Sequence, residues 1–412
     1  MHLLFSRLTS LATILALASQ INAKSTPPPP PNNSTCEPLF GKIEATNGGR
    51  KIGVVIDRSG SMEDTDPSNL RLVAANLLVG KLISSGGITT GQTADQVTIV
   101  QFNETAEILY PLGDPSGAGA SIDGIPANGG TFIGGGISAA LDELTRSGNK
   151  PDNAGIFVLT DGADDPPSLI SDTIDSINRA QKAGIRVSFG FLSVDAEEQD
   201  SRITSAILSS GGTFTTVNTA EDTSKLVAQA LLNRLVGPPS TGSVPLLPGL
   251  KTAGMLSQTS LTTFSYAAQQ GEAFNVTVTA IDKVSLKATL KEAGKNTEIK
   301  SAVTDATTGV ASLEHTALAT GNFTIEVTST TGGSKSGLFA VQIGSSLDPC
   351  KPSNTTQPHP SGSPLIPTGA NSTYLPTPTS STVFTAGAVP MRDVALQMGV
   401  GISFVAAVLE IL

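Results

Sequence analysis

The sequence predicts an α/β fold with a doubly wound, mostly parallel sheet, followed by a β-sandwich. Three observations carry this. Between residues 49 and 236, short apolar runs alternate with segments of helical period, the pattern of a parallel sheet covered on both faces. From residue 250 to 345 the apolar period becomes two, as half-buried strands require. Between them Gly237 to Pro248 is rich in Pro, Gly and Ser, so residues 237–249 read as a linker.

Ahead of the fold, residues 1–23 hold Arg7, an apolar run from Leu8 to Ala18 and the small-residue site Ile21-Asn22-Ala23. The run is too short to span a bilayer comfortably and reads as a secretory signal peptide. Residues 24–48 include Pro27 to Pro31, which favour an extended polyproline spacer.

In the α/β part the strand candidates are Ile52 to Ile56, Val97 to Phe102, Glu107 to Tyr110, Gly155 to Thr160, Val187 to Leu192 and Thr213 to Val217. Helical patterns fall at Pro67 to Leu82, Ile137 to Thr145, Leu169 to Ala183, Ser201 to Ser209 and Asp222 to Leu235. Ile170, Ile174 and Ile177 share one helix face by spacing. Asp66-Pro67 and Asp165-Pro166 have the order of a cap followed by proline, expected where a loop enters a helix. Open sheets of this type bind ligands at the carboxyl ends of their strands.

In the sandwich, Phe274, Val276, Val278 and Ala280 alternate with polar residues. So do Val284, Leu286, Ala288 and Leu290, then Phe323, Ile325 and Val327, then Phe339, Val341 and Ile343. About seven short strands of Ig-like type are expected. The sequons at Asn275 and Asn322 put their asparagines opposite the apolar sets, where a glycan points outward. Further sequons lie at Asn32, Asn33, Asn103, Asn354 and Asn371.

Residues 346–388 are rich in Ser, Thr and Pro, a composition that cannot bury a core and reads as a glycosylated stalk. Small residues Ala386, Gly387 and Ala388 then precede a polar spacer and the apolar run Met398 to Leu409. This is the order of a GPI-attachment signal, in which residues 389–412 are removed and the protein is left on the cell surface. Glu410 is an imperfection, and a single-pass membrane helix is the rival. No basic residue follows the run, which favours the lipid anchor.

With 35 acidic and 25 basic residues, the net charge is −10. There is no basic field to steer nucleic acid or an anionic lipid surface, so cations or basic protein surfaces fit better. Cys36 and Cys350, the two cysteines, flank everything that reads as folded. In a secreted chain a disulfide between them is expected, with two unpaired thiols as the alternative. Closing a loop of about 315 residues would stabilise by on the order of 5 kcal/mol on the chain-entropy model.

The chemistry-bearing residues gather at predicted strand ends. Lys51 to Met62 runs from an apolar strand into Asp57, Ser59 and Ser61 at alternate positions. By itself this pattern is also that of a solvated Ser/Gly turn. Gly129 to Gly136 places Thr131 in a turn just before a helix, and Phe157 to Gly162 places Asp161 at the end of another buried strand. Three loops therefore offer five oxygen side chains at one sheet edge.

These residues resemble a von Willebrand factor A domain with an intact metal-ion-dependent adhesion site (MIDAS): D-x-S-x-S at Asp57, Ser59 and Ser61, the threonine at Thr131 and the aspartate at Asp161. The resemblance covers residues 49–236. It implies a Rossmann-like sheet and a divalent cation, Mg²⁺ or else Mn²⁺ or Ca²⁺, held mostly by hydroxyls, with the carboxylates acting largely through water. A cation so held stays electrophilic and can take a carboxylate from a protein, matrix or cell-wall ligand. Asp64 stands where integrin-type members carry part of a second cation site, with Glu63 beside it, but Thr65 makes that match partial. Asp66 and Asp165 read as helix caps, and Glu63, Asp64 and Asp164 as solvated acids.

Gly134-Gly135-Gly136 belongs to neither nucleotide fingerprint, so a nucleotide is not expected, and its glycines read as admitting the helix closely. The three histidines, His2, His315 and His359, fall in the signal, the sandwich and the stalk, so no His-based catalytic set can form at this edge. Adhesion or ligand binding is the first expectation and an enzyme is not expected. A wall or coat component whose metal stabilises the fold is the alternative, and a hydrolytic enzyme the remote one.

Overall fold

The first apolar run forms β1 (Lys51–Asp57), buried along all but its first residue. Its side chains alternate between two cores. Ile52, Val54 and Ile56 join one cluster, and Val55 joins the other. Each such side chain, fully buried, contributes about 1.5–3 kcal/mol. Parallel neighbours β2 (Gln96–Phe102) and β4 (Ala154–Thr160) flank β1. Beyond them lie β5 (Arg186–Leu192) and β6 (Phe214–Val217) on one side, and antiparallel β3 (Ala106–Gly113) as the far edge.

The computed structural model describes residues 47–146, 153–192, 199–217, 219–233, 235–236, 242–256, 261–282, 284–295, 297–330, 337–348 and 350. The signal, the stalk after residue 350, the tail, Cys36, the sequons at Asn32, Asn33, Asn354 and Asn371, and Ala386, Gly387 and Ala388 lie outside them. Among the described residues, no helix is long and apolar enough to cross a membrane.

Short α1 (Met62–Thr65) follows β1, and α2 (Leu70–Gly80) packs on one face of the sheet with α3 (Gly119–Ile122) and α7 (Ala220–Leu232). The other face carries α4 (Ile133–Thr145), α5 (Ile170–Lys182) and α6 (Ser201–Ser209). On α5, Ile170 and Ile177 are buried and Ile174 half-buried, as their spacing predicts. The start of α4 differs from the sequence expectation by a full turn. The helix takes in Gly134-Gly135-Gly136, because a Cβ at Gly136 would lie 2.7 Å from Val55 Cγ1 and one at Gly134 would lie 2.8 Å from the Thr173 backbone. Close packing, and not helix propensity, decides this turn.

Asp66 does cap. Its Oδ1 accepts from Leu70 N at 2.5 Å and Oδ2 from Arg71 N at 3.1 Å. Arg71 also pairs with it at 2.9 Å in a fully buried ion pair. Asp165 does not cap; its backbone N–H donates to the Thr131 carbonyl at 2.9 Å instead.

The second part has two sheets that share one apolar core. β7 (Val244–Pro245), β9 (Thr262–Ala268), β14 (Gly321–Ser329), β11 (Leu286–Glu292) and β12 (Glu298–Val303) form one sheet. β8 (Lys251–Leu256), β15 (Gly337–Ser345), β10 (Ala273–Ala280) and β13 (Val310–Thr316) form the other. Eight full strands stand here where about seven were expected. The four alternating sets correspond to β10, β11, β14 and β15; the pattern did not locate β8, β9 and β13, nor β12, whose residues are mostly exposed and show no alternation.

β8 pairs antiparallel with β6, through Thr215 with Thr252 and Thr216 with Lys251. One ten-stranded sheet therefore runs through both parts, in the order β13-β10-β15-β8-β6-β5-β4-β1-β2-β3. The span read as a linker is packed toward its end: Leu246, Leu247 and Pro248 are buried. Cys350 is buried too, and no free cysteine occurs among the described residues.

Candidate functional site

The parallel register puts Ile56 beside Leu159, so the next step along each strand brings Asp57 and Thr160 together at the carboxyl edge. Asp57 is fully buried. Its Oδ1 accepts from Ser59 N at 2.7 Å, which bends the chain out of the strand, and its Oδ2 accepts from the Thr160 hydroxyl at 2.6 Å. Both oxygens are thereby committed to shaping the loop.

The hydroxyls that follow face the neighbouring strand end. Ser59 Oγ and Ser61 Oγ lie 3.1 Å apart, and Ser61 Oγ donates to Asp161 Oδ1 at 3.2 Å. Asp161 Oδ2 accepts from the Thr65 hydroxyl, which also lies 3.0 Å from the Ser61 carbonyl.

Thr131 arrives on the third loop, which hydrogen bonds tie to the other two. Asn128 N donates to the Arg58 carbonyl at 2.6 Å, and Gly60 N to the Gly129 carbonyl at 2.9 Å. Gly129 has φ +89°, and a Cβ there would lie 2.5 Å from Glu104 Oε2, so glycine is required. Asp164, expected to be solvated, is buried instead; its Oδ1 accepts from Ile133 N at 2.8 Å and fixes the first turn of α4. Burial raises its carboxyl above the usual range. The Thr131 side chain is buried, and its hydroxyl is not bonded to the other four residues among the described contacts.

Four of the five sequence-predicted residues, Asp57, Ser59, Ser61 and Asp161, are thus linked by hydrogen bonds, and the fifth, Thr131, is brought to the Asp57 to Ser61 turn by its loop. Burial pushes the Asp57 carboxyl up to about 6, against the Thr160 hydroxyl that lowers it, and the nearby Asp161 charge adds to the rise. No basic side chain pairs with Asp57 or Asp161 among the described residues. Two acids, three neutral hydroxyls and no protein cation make a donor set that suits a small hard dication. The set holds only two carboxylates, and no group of three or more His, Cys, Asp or Glu fit to hold a metal occurs among the described residues.

Glu63 and Asp64 are exposed on α1, and neither side chain bonds to the five residues. Asn103 and Asn275 are half-buried and Asn322 is exposed; Asn103 Oδ1 accepts from Thr105 N at 3.1 Å beside the Thr131 loop. Thr160 and Thr65 were missed by sequence reasoning. Thr160 had one local signal, a polar residue closing an otherwise apolar strand.

The family model for the von Willebrand factor type A domain matches residues 52–163. No curated protein matches the chain. Among solved structures it is similar to a von Willebrand factor type A protein from Catenulispora acidiphila, with 15% identity over 72% of this chain and 62% of that one and a TM-score of 0.36. It is also similar to proximal thread matrix protein 1 from the mussel byssus with a zinc-occupied MIDAS motif, with 20% identity over 44% and 48% and a TM-score of 0.35. A third is the conserved hypothetical protein BatB from Bacteroides thetaiotaomicron, with 20% identity over 44% and 96% and a TM-score of 0.34. The chain spans less than two thirds of the first of these structures. Residues 52–163, which hold all five site residues, are a von Willebrand factor type A domain.

Proposed function

We propose that this protein captures a ligand, and does not turn one over, by holding a divalent cation at Asp57, Ser59, Ser61, Thr131 and Asp161. Mg²⁺ is the first choice. The observation that carries the reading is the Ser59, Ser61 and Asp161 cluster, closed by hydrogen bonds of 3.1 and 3.2 Å beside a second buried acid with no basic partner. A cation bound there would meet mostly neutral oxygens and keep its appetite for a carboxylate, offered by a protein or matrix ligand. The only histidine within the described residues, His315, packs against Phe274 and Phe323 in the second part, which supports binding over hydrolysis.

The reading extends to an extracellular, GPI-tethered glycoprotein with Cys36 paired to Cys350, on the composition of the sequence outside the folded parts. A single-pass membrane helix is the rival anchor. A second reading, in which the metal chiefly stabilises the fold of a wall or coat protein, draws on the burial of Asp57: a cation would relieve a carboxylate whose charge burial disfavours.

One experiment separates them. Mg²⁺ is titrated into the purified protein while Tm and retention of surface proteins are followed, with EDTA as the release step and Asp57→Ala as the variant. Loss of both the Tm rise and retention in Asp57→Ala supports capture. Loss of the Tm rise with retention intact would leave only the structural reading. No Mg²⁺ effect on the parent protein would remove both.

A further inference from the structure

A cavity of about 300 Å³ opens on the α6 side of the ten-stranded sheet, where the cover of helices stops and the second part begins. Its floor follows from register. Thr216 of β6 pairs with Lys251 of β8, so both side chains lie on one face with Phe214 and Ala253, two residues along each strand. Ala253 pairs in turn with Ala340 of β15. Two alanines side by side keep the floor low. Ser201 and Thr204, from the first turns of α6, make one wall, and Leu338 and Ile281 the other. Ile281 leaves 51% of its surface to water, so the apolar rim lacks a partner within the described fold.

The polar end has a sign. Lys251 is half-buried and forms no ion pair among the described residues, and the Thr216 hydroxyl beside it has no hydrogen-bond partner there. The nine-residue α6 points its N-terminus to the same side, a further source of positive potential. Two acids flank the lining residues: Asp200 is neutralised, with its Oδ2 2.8 Å and its Oδ1 3.0 Å from the Arg202 guanidinium, and Asp282, next to Ile281, has its Oδ2 occupied by the Leu338 N–H at 2.8 Å. A cationic ligand would meet Lys251 directly. A purely apolar one would bury the ammonium without compensation, which is costly.

We propose that this cavity binds a small amphipathic carboxylate. The anionic group pairs with Lys251 and accepts from Thr216 and Ser201, and the aliphatic or aromatic body lies over Phe214, Ala253 and Ala340. The volume is at the lower end of the range for small-molecule sites, which limits the body to a short chain or a single ring. The site does not depend on a metal and stands whether or not a cation binds at Asp57.

The test is calorimetric titration of the whole protein with octanoate, octanol and octyltrimethylammonium, in EDTA and again in Mg²⁺. Saturable binding of octanoate in both buffers is expected, at least tenfold tighter than octanol, with no binding of the ammonium. Lys251→Met keeps the aliphatic stem and should weaken octanoate at least tenfold, and Ala340→Phe should abolish binding by filling the floor. Lys182→Met, exposed on α5, should change nothing. Thermal melts confirm that each variant is folded. Absence of saturable binding, equal affinity for octanol, or octanoate binding unchanged in both Lys251→Met and Ala340→Phe overturns the proposal.

Discussion

Asp57 has no exposed surface, and one of its two oxygens depends on a single hydroxyl, that of Thr160 at 2.6 Å. Replacing Thr160 by Val keeps the shape and removes the donor. A hydrogen bond to a charged group contributes about 1.5–3 kcal/mol, and its loss leaves a buried acceptor unpaired. Urea denaturation in EDTA should therefore find Thr160→Val about 1.5–3 kcal/mol less stable than the parent, with Thr160→Ser between them. The Mg²⁺-dependent rise in Tm should shrink as well, because Asp57 then has only the Ser59 N–H to orient it. If Thr160→Val were as stable as the parent, Asp57 would not be held in the way its contacts indicate. The contrast between these two residues marks what the sequence discloses at this scale. Asp57, Ser59 and Ser61 are legible because their alternate spacing lies within one loop. Thr160 is not, because its partner is set by the β1–β4 register across 103 positions. Asp164 hid for the same reason: it reads as one more acid in a solvated loop until the α4 N-terminus, 31 residues away, is brought against it.

At the scale of elements, apolar periodicity located β1, β2, β4 and β5 to within a residue or so, since strands buried on both faces have little freedom in composition. It failed at α4, where three glycines lower local helix propensity, and at β12, which is mostly exposed and sets a half-buried Ala302 against the core. The α4 case gives opposing magnitudes. On propensity alone, Gly136→Ala should stabilise the helix by about 1 kcal/mol. The added Cβ would, however, lie 2.7 Å from Val55 Cγ1 and 2.9 Å from Phe102 Cδ1, both on buried strands. Overpacking of this sort costs about 1–3 kcal/mol, so packing outweighs propensity. Thermal melts should show Gly136→Ala destabilised, and Gly134→Ala likewise, because its Cβ would meet the α5 backbone at 2.8 Å. A stabilised Gly136→Ala would mean that α4 can lift from the sheet without penalty. The Thr131 loop would then be less rigid than its ties to Arg58, Gly60 and Asp164 suggest, since α4 is what the loop leads into.

The molecule as a whole departs most from its sequence pattern, which divides cleanly at residue 237. Composition marks where periodicity changes, but strand pairing between distant segments leaves no local trace, and here β6 and β8 join two folds into one sheet. All described residues accordingly fall within one compact unit. The α7 helix binds the junction from the other face. Its buried Lys225 pairs with Asp348 at 2.8 Å, and Gln229 donates to the Pro245 carbonyl at 3.0 Å and to Thr252 Oγ1 at 2.9 Å. Ala228 packs with Leu247, Leu250 and Cys350. Ending the chain at Val236 would remove all of these partners and leave β6 as an open sheet edge, a template for aggregation. The intact protein should therefore unfold in a single calorimetric transition, with van't Hoff and calorimetric enthalpies in agreement. The fragment ending at Val236 should melt lower or aggregate. Asp348→Ala leaves Lys225 buried with only Asp222, at 3.8 Å, and should raise hydrogen exchange along α7 although the substitution lies outside the α/β part. Two separate transitions, the first matched in Tm by the fragment and unmoved by Asp348→Ala, would show instead that the shared sheet is a contact and not a common core.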